Sequence, residues 1–243
     1  MMQPAGTSAD MIAESTEGQM APVHRGTLRA RYDAAARGWQ EMLSGLGYPQ
    51  AYAALLRADR ARTAAQANWH VLDAGTGTGA LAAAFIAAHG PTEALDLLDI
   101  SPAMLAIAEG RLAAAAGRVT VLQGAIGQAD LPARSYDAVL CAHALEHLED
   151  PAVGLAWMMR LLRPGGRLIL AVSKPHWCTA LIRWRWGHRA YAPAEVARML
   201  AQCGLSDIRV VPFPSGPPRR TSCGFLARAP DVSDRCAPTD ARL

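Results

Sequence analysis

The run Val71-Leu72-Asp73-Ala74-Gly75-Thr76-Gly77-Thr78-Gly79-Ala80-Leu81 passes from a short apolar stretch through closely spaced glycines into a helix-forming one. Gly75 and Gly77 allow the backbone to turn sharply and to approach a ligand with no Cβ in the way, with Thr76 between them on the same wall. The next apolar stretch ends in Leu97-Leu98-Asp99-Ile100, where a carboxylate can accept hydrogen bonds from both ribose hydroxyls of a nucleoside. Together the two features specify an adenosine-type cofactor. The glycines alone leave its identity open, because Gly75-x-Gly77-x-x-Ala80 followed by Asp99 also satisfies the relaxed dinucleotide fingerprint of a nicotinamide oxidoreductase. Asp73 tilts the balance away from that reading. A carboxylate at this strand end can organise the glycine loop and meet a cationic amino-acid group, whereas opposite a pyrophosphate it would repel.

Imidazoles supply the other candidate chemistry, since histidine can take a proton near neutral pH. His143 and His147 follow the fourth apolar run, and His176 follows the fifth in Lys174-Pro175-His176-Trp177. His143 is the first candidate for a general base and His176 the second. His147 is expected to cap or pack locally, and Glu146 to be a solvated or helix-start charge rather than a catalytic acid. The segment Trp177–Ala192 contains Ile182-Arg183-Trp184-Arg185-Trp186-Gly187-His188-Arg189, which sets aromatic planes beside guanidinium groups and suits a substrate cover.

These residues need a frame, and the hydrophobic pattern describes one. Trp69–Asp73, Ala94–Asp99, Val119–Gln123, Tyr136–Cys141 and Arg167–Val172 read as continuous apolar strands. Between some of them Ala80–His89, Pro102–Ala116 and Pro151–Leu162 read as helices, the second opened by Ser101 as N-cap and Pro102 in the first turn. Strands of this kind with crossover helices predict a Rossmann-like, doubly wound α/β domain, its parallel sheet covered on both faces. A last helix at Pro193–Cys203 leads to strands near Ile208–Pro212 and Gly224–Arg228, with a stiff loop at Pro214–Ser222 between them. Ahead of the domain, Leu28–Arg62 has helical period broken at Gly47-Tyr48-Pro49. The expected organisation is an arm over 1–24, a helical cap over 25–66, the main domain over 67–230 with a cover insertion near 175–192, and a tail over 231–243.

Composition removes several function classes. The net charge is only +3, and the positive residues, all arginine except Lys174, are spread along the chain, so no basic face for nucleic acid is expected. Five cysteines stand far apart with no CxxC pair or zinc-ligand spacing, so no metal is expected. No apolar run reaches the roughly 20 residues of a membrane span, and the first residues do not read as a signal peptide. A cytoplasmic protein without stable membrane insertion is expected, as a monomer or homodimer.

Four blocks in register make the chain resemble the class I S-adenosylmethionine-dependent methyltransferases, particularly the small-molecule branch that includes ubiquinone- and menaquinone-pathway C-methyltransferases. They are VLDAGTGTGAL (Val71–Leu81), LLDISPAML (Leu97–Leu105), ADLPARSYDAVLCAHALEHLEDP (Ala129–Pro151) and LLRPGGRLIL (Leu161–Leu170). The resemblance implies a seven-stranded sheet with the last strand antiparallel, and S-adenosylmethionine, leaving as S-adenosylhomocysteine, over the carboxyl ends of the first, second and fourth strands. It places Asp99 and Ile100 at the ribose, Met104 beside adenine, Cys141 at the end of the fourth strand near the cofactor, and Tyr32 over the methionine end. One departure is visible: Ala125 stands where the family carries an aspartate for the adenine amino group, so that contact falls to Ala125, Ile126 or Gln128. The implied activity is methyl transfer to oxygen, nitrogen or carbon of a small-molecule acceptor, an aromatic or lipophilic metabolite being the kind favoured. A phospholipid headgroup N-methyltransferase, a nicotinamide oxidoreductase and a non-catalytic binder of the same cofactor are the competing readings.

Overall fold

The computed structural model describes residues 25–63, 66–176 and 189–231. The expected arm over 1–24, residues 177–188 of the expected cover and the tail from 232 lie outside the described residues. Two helices come first, α1 (Arg25–Leu46) and α2 (Tyr48–Arg60), divided at Gly47 with Pro49 in the first turn of α2. Then strand and helix alternate: β1 (His70–Ala74), α3 (Ala80–His89), β2 (Thr92–Asp99), α4 (Pro102–Leu112), β3 (Ala116–Gln123) and β4 (Tyr136–Ala142). A single turn of 3-10 helix at Leu145–His147 precedes α5 (Pro151–Leu161) and β5 (Leu162–Ser173), and α6 (Pro193–Gln202), β6 (Ser206–Pro212), α7 (Gly216–Thr221) and β7 (Ser222–Arg228) complete the fold.

The sheet runs β3-β2-β1-β4-β5-β7-β6. β1 to β5 pair in parallel, while β7 is antiparallel to both β5 and β6. The strand order reverses between β1 and β4, and in an open α/β sheet a ligand crevice forms outside the carboxyl ends of the strands at that point. This is the doubly wound architecture that the apolar pattern predicts, with the antiparallel last strand that the resemblance implies.

Both faces of the central strands are buried, while the edge strands β3 and β6 are largely exposed. On one face Leu72, Val139, Leu168, Leu170 and Phe225 meet α5 and α6 through Leu155, Met158, Val196 and Leu200. On the other, Val71, Leu97, Leu140, Ile169 and Leu226 meet α2, α3 and α4 through Leu55, Leu56, Phe85 and Leu105. The helix α2 is therefore built into a covering layer. Its last turn is also held from below, where the buried Asp59 accepts from Arg167 Nη1 of β5 at 2.6 Å and stands 3.1 Å from His89 Nε2 of α3.

Several element boundaries differ from the sequence reading by a few residues, and three of the differences have a clear physical reason. The alanines after Leu112 leave the helix because Ala116 already pairs with Thr92 and Gly117 lies against the Glu93 carbonyl, where a Cβ would stand at 2.9 Å. β5 begins at Leu162, which pairs with Tyr136 before Arg163–Gly166 loops out and pairing resumes at Arg167. Pro217 and Pro218 stand in the first turn of a short helix where a loop was expected, as proline at the start of a helix costs no hydrogen bond.

Gly224 of β7 lets α2 sit against the sheet, since a Cβ there would lie 2.7 Å from Leu55 Cδ1 and 3.1 Å from Cδ2. Leu55 is fully buried, and its Cγ as well as both Cδ atoms would lie within 3.3 Å of that Cβ. Gly224→Ala should therefore cost about 1–3 kcal/mol of stability through overpacking. Urea unfolding of the variant beside the unchanged chain measures it, and Leu55→Val in the same background should recover part of the loss.

Candidate active site

The glycine loop is shaped by what lies on either side of it. Gly75 has φ 73°, and a Cβ on it would lie 2.5 Å from Ala144 Cβ, so no other residue fits this turn. The amides of Gly75 and Thr76 donate to the Leu98 carbonyl at 2.8 and 3.0 Å, which hangs the loop on the end of β2. Beneath it the Thr76 hydroxyl donates to Asp73 Oδ2 at 2.7 Å, while Asp73 Oδ1 is buried with no partner among the described residues. Burial pushes the Asp73 carboxyl up to about 7, opposed by the Thr76 hydroxyl and the nearby Ala82 amide and reinforced by Asp99.

Asp99 stands at the opposite lip. It accepts from the amides of Gly77 and Ser101, both at 2.9 Å, one on each carboxylate oxygen. Each oxygen retains acceptor capacity, and the carboxylate is only partly buried. Burial shifts its pKa upward, with the amides of Ser101, Gly77 and Ile100 opposing. Ser101 works in two directions: its hydroxyl caps α4 by accepting from the Met104 amide at 3.1 Å and donates to Asp33 of α1 at 2.5 Å.

These lips bound a cavity of about 410 Å³, within the range of small-molecule and cofactor sites. Of the residues singled out in the sequence, Tyr32, Gly75, Thr76, Gly77, Asp99, Ile100, Met104, Ala125, Ile126 and His143 line it. Asp73, Cys141 and His176 do not. Asp73 lies under the loop, in contact with its threonine rather than with the cavity. Cys141 packs into the core on the α5 face and Ala142, one step along the pleat, takes the wall instead. His176 lies beyond the end of β5, outside the lining. At the adenine departure, Ala125 and Ile126 reach the cavity and the exposed Gln128 does not.

Two readings of single residues are overturned. Glu146 is not a solvated charge: it is 2% exposed, accepts from the Ser173 amide at 2.6 Å and lies 3.2 Å from His143 Nδ1. Burial alone would raise its pKa, yet His143, the Ser173 amide and His147 hold it down at about 2. His147 does not act locally but meets the Tyr32 hydroxyl of α1 at 2.7 Å through Nε2. That bond, with Ser101–Asp33, straps α1 across the mouth, where Trp39 packs edge-on against Tyr32 at 5.4 Å and lines the cavity over Gly77. Burial, together with Asp99 and Glu146, drives the Tyr32 phenol far above the usual range, so it stays protonated.

His143 holds an uncommon backbone conformation at φ 55°, a state that costs of order 1–3 kcal/mol in a non-glycine residue. Its amide still donates to the Ala171 carbonyl at 2.8 Å, extending the β4–β5 ladder one step past the strand before the chain turns. The ring faces Tyr48 edge-on at 5.0 Å and Tyr52 at 6.4 Å, both from α2. Tyr48, Tyr52, Trp39 and Ser173 had no signal in the sequence beyond apolar period, because only the packing of α1, α2 and β5 brings them here. Among the described residues no group of His, Cys, Asp and Glu could hold a metal ion, and no helix is long and apolar enough to cross a membrane.

The raised Asp73 pKa has a definite sign. Between its ordinary value near 3.8 and about 7 the folded protein holds a proton that the unfolded chain has released, so this group's stabilisation is full below that window and is lost as pH rises through about 7. Asp73→Asn cannot ionise. Its thermal midpoint relative to the unchanged protein should rise between pH 5 and pH 8, read by differential scanning calorimetry, and a pH-independent difference would contradict the buried-acid assignment.

Residues 71–166 match a family model described as methyltransferase domain. Over 106 residues the chain is 38% identical to the ubiquinone/menaquinone biosynthesis C-methyltransferase of Syntrophotalea carbinolica, a match that spans 43% of this chain and 44% of that protein. The chain thus spans less than half the length of the curated relatives it matches. Among solved structures, the N-methyltransferase NodS from Bradyrhizobium japonicum superposes with a TM-score of 0.66 at 23% identity, covering 85% of this chain and 98% of that one. The cyclase SpnF superposes with a TM-score of 0.67 at 19% identity, covering 87% and 97%. Residues 71–166 are accordingly a methyltransferase domain, set in a chain that has the fold of the class I S-adenosylmethionine-dependent methyltransferases.

Proposed function

We propose that this protein transfers the methyl group of S-adenosylmethionine to a small, largely apolar acceptor. The observation that carries the reading is the pairing of Asp99 with the glycine loop across one cavity, each carboxylate oxygen holding one amide at 2.9 Å with capacity for a further donor. The residues fit the cofactor. The ribose hydroxyls would meet Asp99, adenine would lie among Ile100, Met104, Ala125 and Ile126, and the methionine end would pass over Gly75 and Gly77 beneath Tyr32 and Trp39. When bound, the cofactor supplies an electrophilic methyl carbon on a sulfonium.

The chain's own share of the chemistry is placement. In-line displacement needs nucleophile, methyl carbon and sulfur held in line, and rigid walls provide much of that advantage. Beyond the cofactor lips the wall is apolar and aromatic, with Leu43, Leu46, Tyr48, Tyr52, Leu148 and Pro217. That lining supports a ring-bearing or lipophilic acceptor, and the curated relatives are named for ubiquinone/menaquinone biosynthesis. The structural likeness to a cyclase shows why fold alone does not decide the reaction, and why the reading is placed on the site.

Calorimetric titration with S-adenosylmethionine and S-adenosylhomocysteine, with NAD as the control, tests it. Both sulfur compounds should bind and NAD should not. Asp99→Ala should weaken binding by a factor of ten to a few hundred, the equivalent of about 1.5–3 kcal/mol for hydrogen bonds to a charged group, with thermal unfolding run alongside to show that the loop survives. Preference for NAD, or equal binding by Asp99→Ala, would overturn the proposal.

A further inference from the structure

We propose that His143 is the base that takes the proton from a hydroxyl carried on an apolar ring of the acceptor, with Glu146 and Ser173 as the positioning residues that fix its tautomer. This rests on the methyl-transfer reading above and assigns its acceptor class.

The argument begins at Glu146. Its side chain is 1% exposed and enclosed by the turn after β4 and the end of β5. It receives the Ser173 amide at 2.6 Å and stands 3.2 Å from His143 Nδ1. A carboxyl in this setting is ionised at neutral pH, held low by the imidazole and the amide against the opposing effect of burial. An ionised carboxylate only accepts, so the proton of a neutral His143 belongs on Nδ1. The Ser173 hydroxyl, also 3.2 Å from Nδ1, can accept from the same N–H. The lone pair then sits on Nε2.

Nε2 meets no hydrogen-bond partner among the described residues. The Nε2 atoms of His70 and His89 also lack a hydrogen bond, but they stand 3.5 and 3.1 Å from the carboxylates of Asp96 and Asp59, whereas the carboxylate beside His143 is at Nδ1. Here one nitrogen is doubly provided for and the other is left over, on a ring whose side chain is 20% exposed and lines the cavity. Nε2 itself is covered, so an acceptor reaches it by shifting a neighbouring side chain; Tyr48 is packed edge-on against the imidazole ring. The strained backbone at φ 55° points the same way, because the strain buys no hydrogen bond for Nε2.

The surroundings name the acceptor. Tyr48 and Tyr52 offer ring faces and edges, and Leu43, Leu46 and Pro217 extend an apolar wall. A ring hydroxyl of ordinary phenol acidity, near 10 on the tyrosine scale, is protonated at neutral pH and is a poor nucleophile. With a base at hand the step balances. The hydroxyl oxygen forms a bond to the methyl carbon, the carbon–sulfur bond breaks with its electron pair kept on sulfur, and the hydroxyl proton passes to Nε2. The imidazolium so formed is met at Nδ1 by the Glu146 carboxylate.

Two measurements decide it. Nitrogen-15 NMR of the ligand-free protein, labelled in histidine, should show His143 as the Nδ1–H tautomer with an unprotonated Nε2, and Glu146→Gln should mix the tautomers. A wild-type ring protonated at Nε2 would overturn the proposal without reference to activity. The second uses phenols graded in acidity, 4-nitrophenol, ionised at an assay pH of about 8.5, and 4-ethylphenol, which is not. The expected product is the aryl methyl ether. His143→Asn should lose about a hundredfold or more in kcat with 4-ethylphenol and far less with 4-nitrophenol, which needs no base. Equal loss on both phenols, or a ring-methylated product, overturns the assignment. Binding of S-adenosylhomocysteine with no phenol methylated by the wild type overturns the acceptor class alone, whereas failure to bind either sulfur compound removes the methyl-transfer reading beneath it.

Discussion

The carbonyl of Leu98 carries the arrangement on which the cavity depends. Two consecutive amides of the glycine loop, those of Gly75 and Thr76, converge on it, and the next residue of β2 takes the amide of Gly77 through its side chain. Loop and strand end are thereby fixed to one another by three bonds before any ligand is considered. This matters because Gly75, Gly77 and Gly79 alternate through the β1–α3 turn, and a glycine-rich loop left to itself has much conformational entropy to lose. The neighbouring strand supplies the order. The parallel register that sets Ala74 beside Leu98 is therefore as much a part of the candidate site as Asp99 itself.

The roof depends on the same lip. Asp33 of α1 accepts from Ser101, the residue that also caps α4 and follows Ile100, while Tyr32 reaches His147 on the other side of the sheet's switch point. Adjacent residues of one helix thus bind to opposite walls of the crevice. A helix attached in this way covers the cavity without burying much of its own surface, and it brings Trp39 over Gly77. By contrast α2 is locked into the core by Leu55 and Leu56 and, at its last turn, by Asp59 with Arg167 of β5. Tyr48 and Tyr52 consequently ride on the helix locked into the core, and Tyr32 and Trp39 on the strapped one.

What the sequence displays follows the range of the forces involved. The limits of α3 at Ala80 and His89, the Ser101 cap and the apolar strands are local matters of propensity and period, and they are legible. So is the Gly75–Asp99 pairing, because a turn that admits only glycine and a carboxylate at a strand end have few other uses. Glu146 was illegible for the opposite reason. Beside Leu145 and His147 it reads as a charge on a short helical turn, and only the register of β4 on β5 brings the Ser173 amide to bury and satisfy it. Cys141 against Ala142 is a matter of pleat phase, and His176 of where the chain goes after β5. Tyr32 and His147 lie 115 residues apart, so no local pattern could have linked them.

Two buried carboxylates on either side of the switch point have opposite characters, and the difference follows from their partners. Asp73 has one hydroxyl and a distant amide against the cost of desolvation, with a second carboxylate at Asp99 to raise it further, and it titrates near neutrality at about 7. Glu146 is equally enclosed but is met by an imidazole and a strand amide, and it stays ionised down to about 2. Environments that push paired acids apart in this way distribute roles. A carboxyl that can be neutral under the glycine loop suits a structural post that tolerates a nearby cationic or neutral group. A permanently charged one suits a fixed acceptor that orients an imidazole and would stabilise its positive form. With Asp73 titrating at about 7 beneath the loop and Glu146 ionised beside His143, the charge next to the imidazole is fixed while the charge under the loop changes with pH near neutrality.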